Sequence, residues 1–169
     1  MSQQETAARS HDARMADRMV FFSDAVFAIV LTLLVLELRP PELHGEDELW
    51  AALGGLSRHF AAFAITFGLV ALWWLIHMRV TRRLAIFDWP TAICNLLFLF
   101  FICLTPFASA LYGENFTSMA TLELYWGVNL GASLSMTLLF FVMNRGGGRL
   151  VGGVGWREWT FRLIQSLAP

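Results

Sequence analysis

Residues 18–38, RMVFFSDAVFAIVLTLLVLEL, form an apolar run long enough to cross a bilayer as a helix, and the run carries an ionisable group, Asp24, near its start. Spanning a ~30 Å hydrocarbon core takes about 20 residues at 1.5 Å each. A carboxylate inside such a segment costs ~2.5–3.5 kcal/mol on insertion scales, so it is expected to be held by a partner or to serve a purpose. Ile29, Leu33 and Leu36 repeat at i, i+4, i+7 and make one stripe, with Thr32 and Val26 beside it. Asp24 lies about 140° around the helix from Ile29. The helix therefore has an oily face and, nearly opposite, a face in need of hydrogen-bond partners.

The rest of the chain is built alike. Of its 169 residues 57% are hydrophobic, the mean hydropathy is +0.58 and every cation is an arginine, which is too oily for a water-soluble domain of this length. Spans are predicted at residues 19–38, 60–78, 89–112 and 122–143, giving an all-α membrane protein with four transmembrane helices. Pro40-Pro41 is expected to stop the first helix. A cleaved signal peptide would need a shorter apolar core and a small-residue cleavage site before Pro40, and neither is present. Residues 1–17 then form an amino-terminal arm, residues 18–144 the membrane domain, and residues 145–169 a glycine-rich linker leading into a further apolar run.

Arginines set the expected orientation. Arg9, Arg14 and Arg18 precede the first span, Arg79, Arg82 and Arg83 join the second to the third, and Arg145, Arg149 and Arg157 follow the fourth. The two other loops hold Arg39 and Arg58 against Glu42, Glu46, Asp47, Glu48, Glu114 and Glu123. The amino terminus is therefore expected in the cytoplasm of a multi-pass protein of the cell membrane. Trp50, Tyr112, Tyr125 and Trp126 are predicted at the outer interface, and Trp73, Trp74 and Trp89 at the inner one. With this orientation His77 and Asn95 fall in the same half as Asp24 and are its expected partners. Asp24 either braces the first helix against the second and third or contacts ions directly.

No enzyme constellation emerges. Cys94 and Cys103, nine apart on one helix, point to opposite faces, which favours buried thiol packing over a disulfide or a metal pair. Gly131-Ala132-Ser133 imitates a nucleophile elbow but lacks the closing glycine and the strand. The glycines of 146–155 lack a phosphate-loop lysine. His11, His44 and His59 fall in arms or loops, without the spacing of a zinc site. Gly127, Gly131 and Ser135 make a small-residue ridge suited to close helix packing, within the subunit more often than between subunits. Asn129 shares that span and could hydrogen-bond across helices. No cofactor, resident metal or nucleic-acid partner is expected; the lipid bilayer is.

Arg18, three residues, then Phe22-Ser23-Asp24 and an aliphatic run ending in Leu-Glu resembles the R-x-x-x-F-S-D signature of the lysosomal potassium channel family, the transmembrane protein 175 family, and most closely its prokaryotic single-repeat members. Trp74 and His77 resemble the segment closing that family's second helix. Asp88, Asn95 and the Leu96-Leu97-Phe98-Leu99 run resemble the start of its third, and Pro106-Phe107 its far end. A second histidine found in many members is Met78 here. The resemblance implies a potassium-selective channel passing K⁺ passively, built as a homotetramer of subunits that normally have six helices, so that this chain looks like one cut at the entrance of the fifth. It implies that the first helix lines the pore, with Ile29, Leu33 and Leu36 as rings of aliphatic side chains and Thr32 the hydroxyl near them. It also implies a polar network behind that helix, drawn from Arg18, Phe22, Ser23, Asp24, His77 and Asn95. No T-V-G-Y-G-like filter is present. Glu37 would attract cations at the outer mouth.

On residues alone the stripe is also explained by ordinary helix packing. Two other classes stay open: a secondary transporter, which would want paired polar groups at a midplane site on broken helices, and a non-conducting membrane scaffold.

Overall fold

The computed structural model describes residues 3–38, 53–82, 84 and 87–148, with side chains placed from His11 to Arg145. Four long helices follow one another: α1 over Gln3–Leu33, continued by a 3-10 turn at Leu34–Glu37, then α2 over Ser57–Thr81, α3 over Trp89–Glu114 and α4 over Met119–Gly148. Each contains a stretch long and apolar enough to cross a membrane. All four predicted spans are thus present as helices, and no strand occurs among the described residues.

The boundaries differ from the sequence expectation at both ends. The predicted arm is helical from Gln3 and runs into α1 without a break, as its alanine, arginine and glutamine content favours. Gly146, Gly147 and Gly148, predicted to begin a linker, continue α4 instead. Just before them Arg145 forms an ion pair with Asp88, tying the end of α4 to the start of α3. The remainder of the predicted linker and the Pro40-Pro41 stop lie outside the described residues.

Asp88 has a second duty. It sits in extended conformation at the N-cap of α3, and its Oδ1 accepts from the Thr91 backbone N–H at 3.1 Å, with Pro90 in the first turn where no N–H is missed. Inside α3, Pro106 leaves the carbonyl of Ile102 without its usual i+4 donor. The Thr105 hydroxyl donates to that carbonyl at 2.7 Å. A bare carbonyl in the hydrocarbon region would be costly, so this bond lets a proline sit in the middle of a span.

α3 is the axis of the bundle: it packs along α4, against α2 and against α1. The core joins Phe27 and Val30 of α1, Leu34 of the 3-10 turn, Val70 of α2, Phe98 and Ile102 of α3, and Leu139 and Met143 of α4. Lipid tails are as apolar as leucine, so close packing has to hold these helices together. Gly131 shows how close it becomes, since a Cβ placed there would fall 2.3 Å from the Phe101 ring. At Gly127 the same construction meets nothing within 4 Å. The predicted small-residue ridge therefore splits, one glycine packing inside the chain and the other lying open.

Candidate functional site on the first helix

α1 divides its side chains sharply. Ser23, Phe27, Val30 and Leu34 are buried against α2 and α3, whereas Ile29, Leu33 and Leu36 remain 57%, 44% and 69% exposed. The exposed stripe is the one read from the i, i+4, i+7 spacing. Thr32, exposed beside it, donates its hydroxyl to the Ile29 carbonyl at 2.8 Å. Its hydrogen is thereby consumed within the helix.

The buried face carries a polar chain whose orientation follows from its first link. Ser23 Oγ donates to the Met19 carbonyl at 2.9 Å, so the same oxygen can only accept from Asn95 Nδ2, also at 2.9 Å. Asn95 then turns Oδ1 toward His77 Nε2 at 2.8 Å, and His77 must be the donor. Its Nδ1 is left as a buried acceptor with no partner. The His77 ring stacks on Phe98 with centroids 5.6 Å apart and meets Phe27 at 5.7 Å. Three helices are thereby linked through one continuous path of hydrogen bonds.

Asp24 takes a different partner from the one expected. His77 and Asn95 bond to each other and, through Asn95, to Ser23; Asp24 Oδ1 instead accepts from the indole N–H of Trp74 at 2.9 Å. One residue along a helix is a 100° turn, enough to aim Ser23 at α3 and Asp24 at α2. A buried tryptophan needs an acceptor for its N–H, and that was the available signal for this pair. Arg18 and Phe22 do not join the path: both are exposed, and they border a shallow pocket of about 320 Å³ that also touches Asn95.

Other expectations need correction. Tyr125, assigned to the outer interface, is 4% exposed because its hydroxyl pairs with Thr66 Oγ1 at 3.1 Å, which in turn donates to Ser109 Oγ at 2.9 Å. His59 lies not in a loop but in the first turn of α2, with its Nδ1 buried. Asn129 donates to the Tyr125 carbonyl of its own helix, at 2.9 Å. Cys94 is buried as expected, but Cys103, also expected to pack as a buried thiol, is exposed on the opposite face of α3. Among the described residues no group of three or more His, Cys, Asp or Glu could hold a metal ion.

With this geometry in view, similarity to known proteins falls where the signature and the polar chain lie. The family model for the endosomal/lysosomal potassium channel TMEM175 matches residues 18–106, from Arg18 to the proline of α3. A potassium channel of Streptomyces collinus is 31% identical over 134 residues, covering 77% of this chain and 65% of that protein. The endosomal/lysosomal proton channel TMEM175 of Bos taurus is 33% identical over 106 residues, 58% of this chain and 22% of that protein. The chain thus spans less than two thirds of the length of these relatives. The crystal structure of a lysosomal potassium-selective channel TMEM175 homolog from Chamaesiphon minutus superposes with a TM-score of 0.74 at 26% identity, over 90% of this chain and 79% of that one. With more than half of its length matched by the family model, the chain belongs to the endosomal/lysosomal potassium channel TMEM175 family.

Proposed function

We propose that this chain is one subunit of a potassium channel in the cell membrane, in which copies of α1 surround a central pore. The observation that carries the reading is the division of α1. Ser23 and Asp24 are bonded inward to α3 and α2, and the Ile29, Leu33 and Leu36 stripe faces away from the chain's own core. One helix cannot enclose a pore, and closed cyclic symmetry is the common way for identical chains to do so; a homotetramer fits the family resemblance. Ile29, Leu33 and Leu36 then form apolar rings, with Thr32 beside them. An ion crossing such a ring sheds water without gaining ligands, so discrimination arises from dehydration in place of a carbonyl cage. Ser23, Asp24, His77 and Asn95 position the helix and do not touch the ion. Passive permeation of K⁺ needs neither cofactor nor covalent chemistry, so the protein acts as a channel and not as an enzyme. The arginine asymmetry puts the amino terminus in the cytoplasm and Glu37 at the outer mouth.

The test is ion flux from liposomes holding the full chain. A K⁺ gradient alone should drive flux that does not saturate as a carrier would. Flux requiring a proton or sodium gradient would make the protein a secondary transporter, and no flux a scaffold. Because the bovine relative is named a proton channel, an acid-gradient dye should be run in parallel; proton flux without K⁺ flux would overturn the assignment of the ion.

A further inference from the structure

α2 and α4 both pack on α3, and a groove of about 760 Å³ runs between them. Leu69, Trp73 and Ile76 line it from α2; Glu123, Trp126, Leu130 and Ser133, at i, i+3, i+7 and i+10 on one face, line it from α4. The lining is apolar almost throughout, with the Glu123 carboxylate toward one end. Gly127, in the same wall, leaves open space where a side chain would stand. The 30 residues of α4 measure about 45 Å, the thickness of a bilayer with its headgroups. Glu123 comes about 6 Å after the start of that helix at Met119, at headgroup depth, and Ser133 about 15 Å further on, near the midplane. The groove therefore spans one leaflet.

We propose that this groove is a binding site for a phospholipid whose headgroup ends in a primary ammonium, with an acyl chain along the groove and the ammonium at Glu123 and Trp126. Glu123 is exposed, and no described residue hydrogen-bonds or ion-pairs with it. A carboxylate accepts charge-assisted hydrogen bonds from an ammonium, and an indole attracts the same cation through its ring. At i and i+3 the two side chains are neighbours on the helix surface, close enough to share one ligand group. An anionic headgroup would instead meet the repulsion of Glu123. Arg58, at the same end of α2, stands about three turns beyond Leu69 and does not line the groove, so it does not offset that charge there. Below the headgroup the apolar walls have the length of one chain of one leaflet.

The test is native mass spectrometry of the full chain taken from liposomes of phosphatidylethanolamine and phosphatidylglycerol, in equal amounts and with identical acyl chains. Phosphatidylethanolamine should be retained in about tenfold excess, the worth of one charge-assisted hydrogen bond. Glu123→Gln, at an exposed position, should bring the ratio close to one, and Gly127→Phe should fill the groove and remove the retained lipid. Equal retention of both lipids by the unaltered chain, or a ratio that responds to Arg58→Gln and not to Glu123→Gln, would overturn the headgroup assignment. Gly127→Cys in a Cys103→Ser chain reads the occupant separately: a lipid-soluble maleimide should label it in liposomes. Protection from the reagent would mean that protein covers the groove, a second copy if oxidation gives covalent dimers and the residues of this chain after Gly148 if it does not. Either result overturns the inference without bearing on K⁺ flux.

Discussion

Replacing Asn95 by leucine, close in size, removes the centre of the polar chain without opening a large cavity. Ser23 loses an accepted bond but keeps its donation to the Met19 carbonyl, which at typical net values costs about 1 kcal/mol. His77 fares worse. It is 0% exposed, its Nδ1 already lacks a partner, and losing Asn95 Oδ1 leaves the whole ring unsatisfied. A buried polar group stripped of its partner costs about 1–3 kcal/mol, so the variant should lose about 3 kcal/mol in all. At 2–4 °C per kcal/mol, usual for chains of 150–250 residues, the melting point should fall by about 6–12 °C. Thermal unfolding of the detergent-solubilised protein, followed by size-exclusion chromatography, reads this directly. Adding His77→Phe should restore much of the loss, because a ring of similar shape still stacks on Phe98 and the orphaned nitrogens are gone. An unchanged melting point for Asn95→Leu, or a double variant no better than the single one, would show that the path of bonds does not hold the three helices.

Gly131→Ala should destabilise by about 1–3 kcal/mol through collision with Phe101, whereas Gly127→Ala, with open space around it, should stay within about 0.5 kcal/mol; equal melting points would contradict the close approach of α3 and α4. Trp74→Phe should cost about 1 kcal/mol by removing the indole donor to Asp24. Asp24→Asn keeps an acceptor there and should cost less; the reverse order in thermal unfolding would mean that the charge, not the hydrogen bond, is what α2 holds. Ile29→Asn puts amide dipoles in place of methyl groups on the exposed stripe, so K⁺ flux should rise or discrimination against Na⁺ should fall in liposomes containing equally assembled protein. Wild-type flux and selectivity in that variant would remove this face from the constriction.

Hydropathy alone determined that this chain is an all-helical membrane protein with spans near 19–38, 60–78, 89–112 and 122–143, because whether a segment crosses a bilayer depends on about 20 consecutive residues and their solvent. The signature around Asp24 and the i, i+4, i+7 stripe were legible for the same local reason: both are properties of one helix. The helix starting at Gln3 and the glycines kept inside α4 were less so, since helix ends depend on what packs there, here Arg145 against Asp88. Partner choice was decided only by tertiary structure. Asp24 meets Trp74 while its neighbour Ser23 meets Asn95, and Thr66, Ser109 and Tyr125 converge from three helices, because each contact depends on how far two helices are rotated and shifted against each other. A shift of one residue turns a side chain by 100°. The packing that sets such rotations, including the Phe101 ring lying where a Gly131 Cβ would be, is shared among distant residues and is written in no single segment.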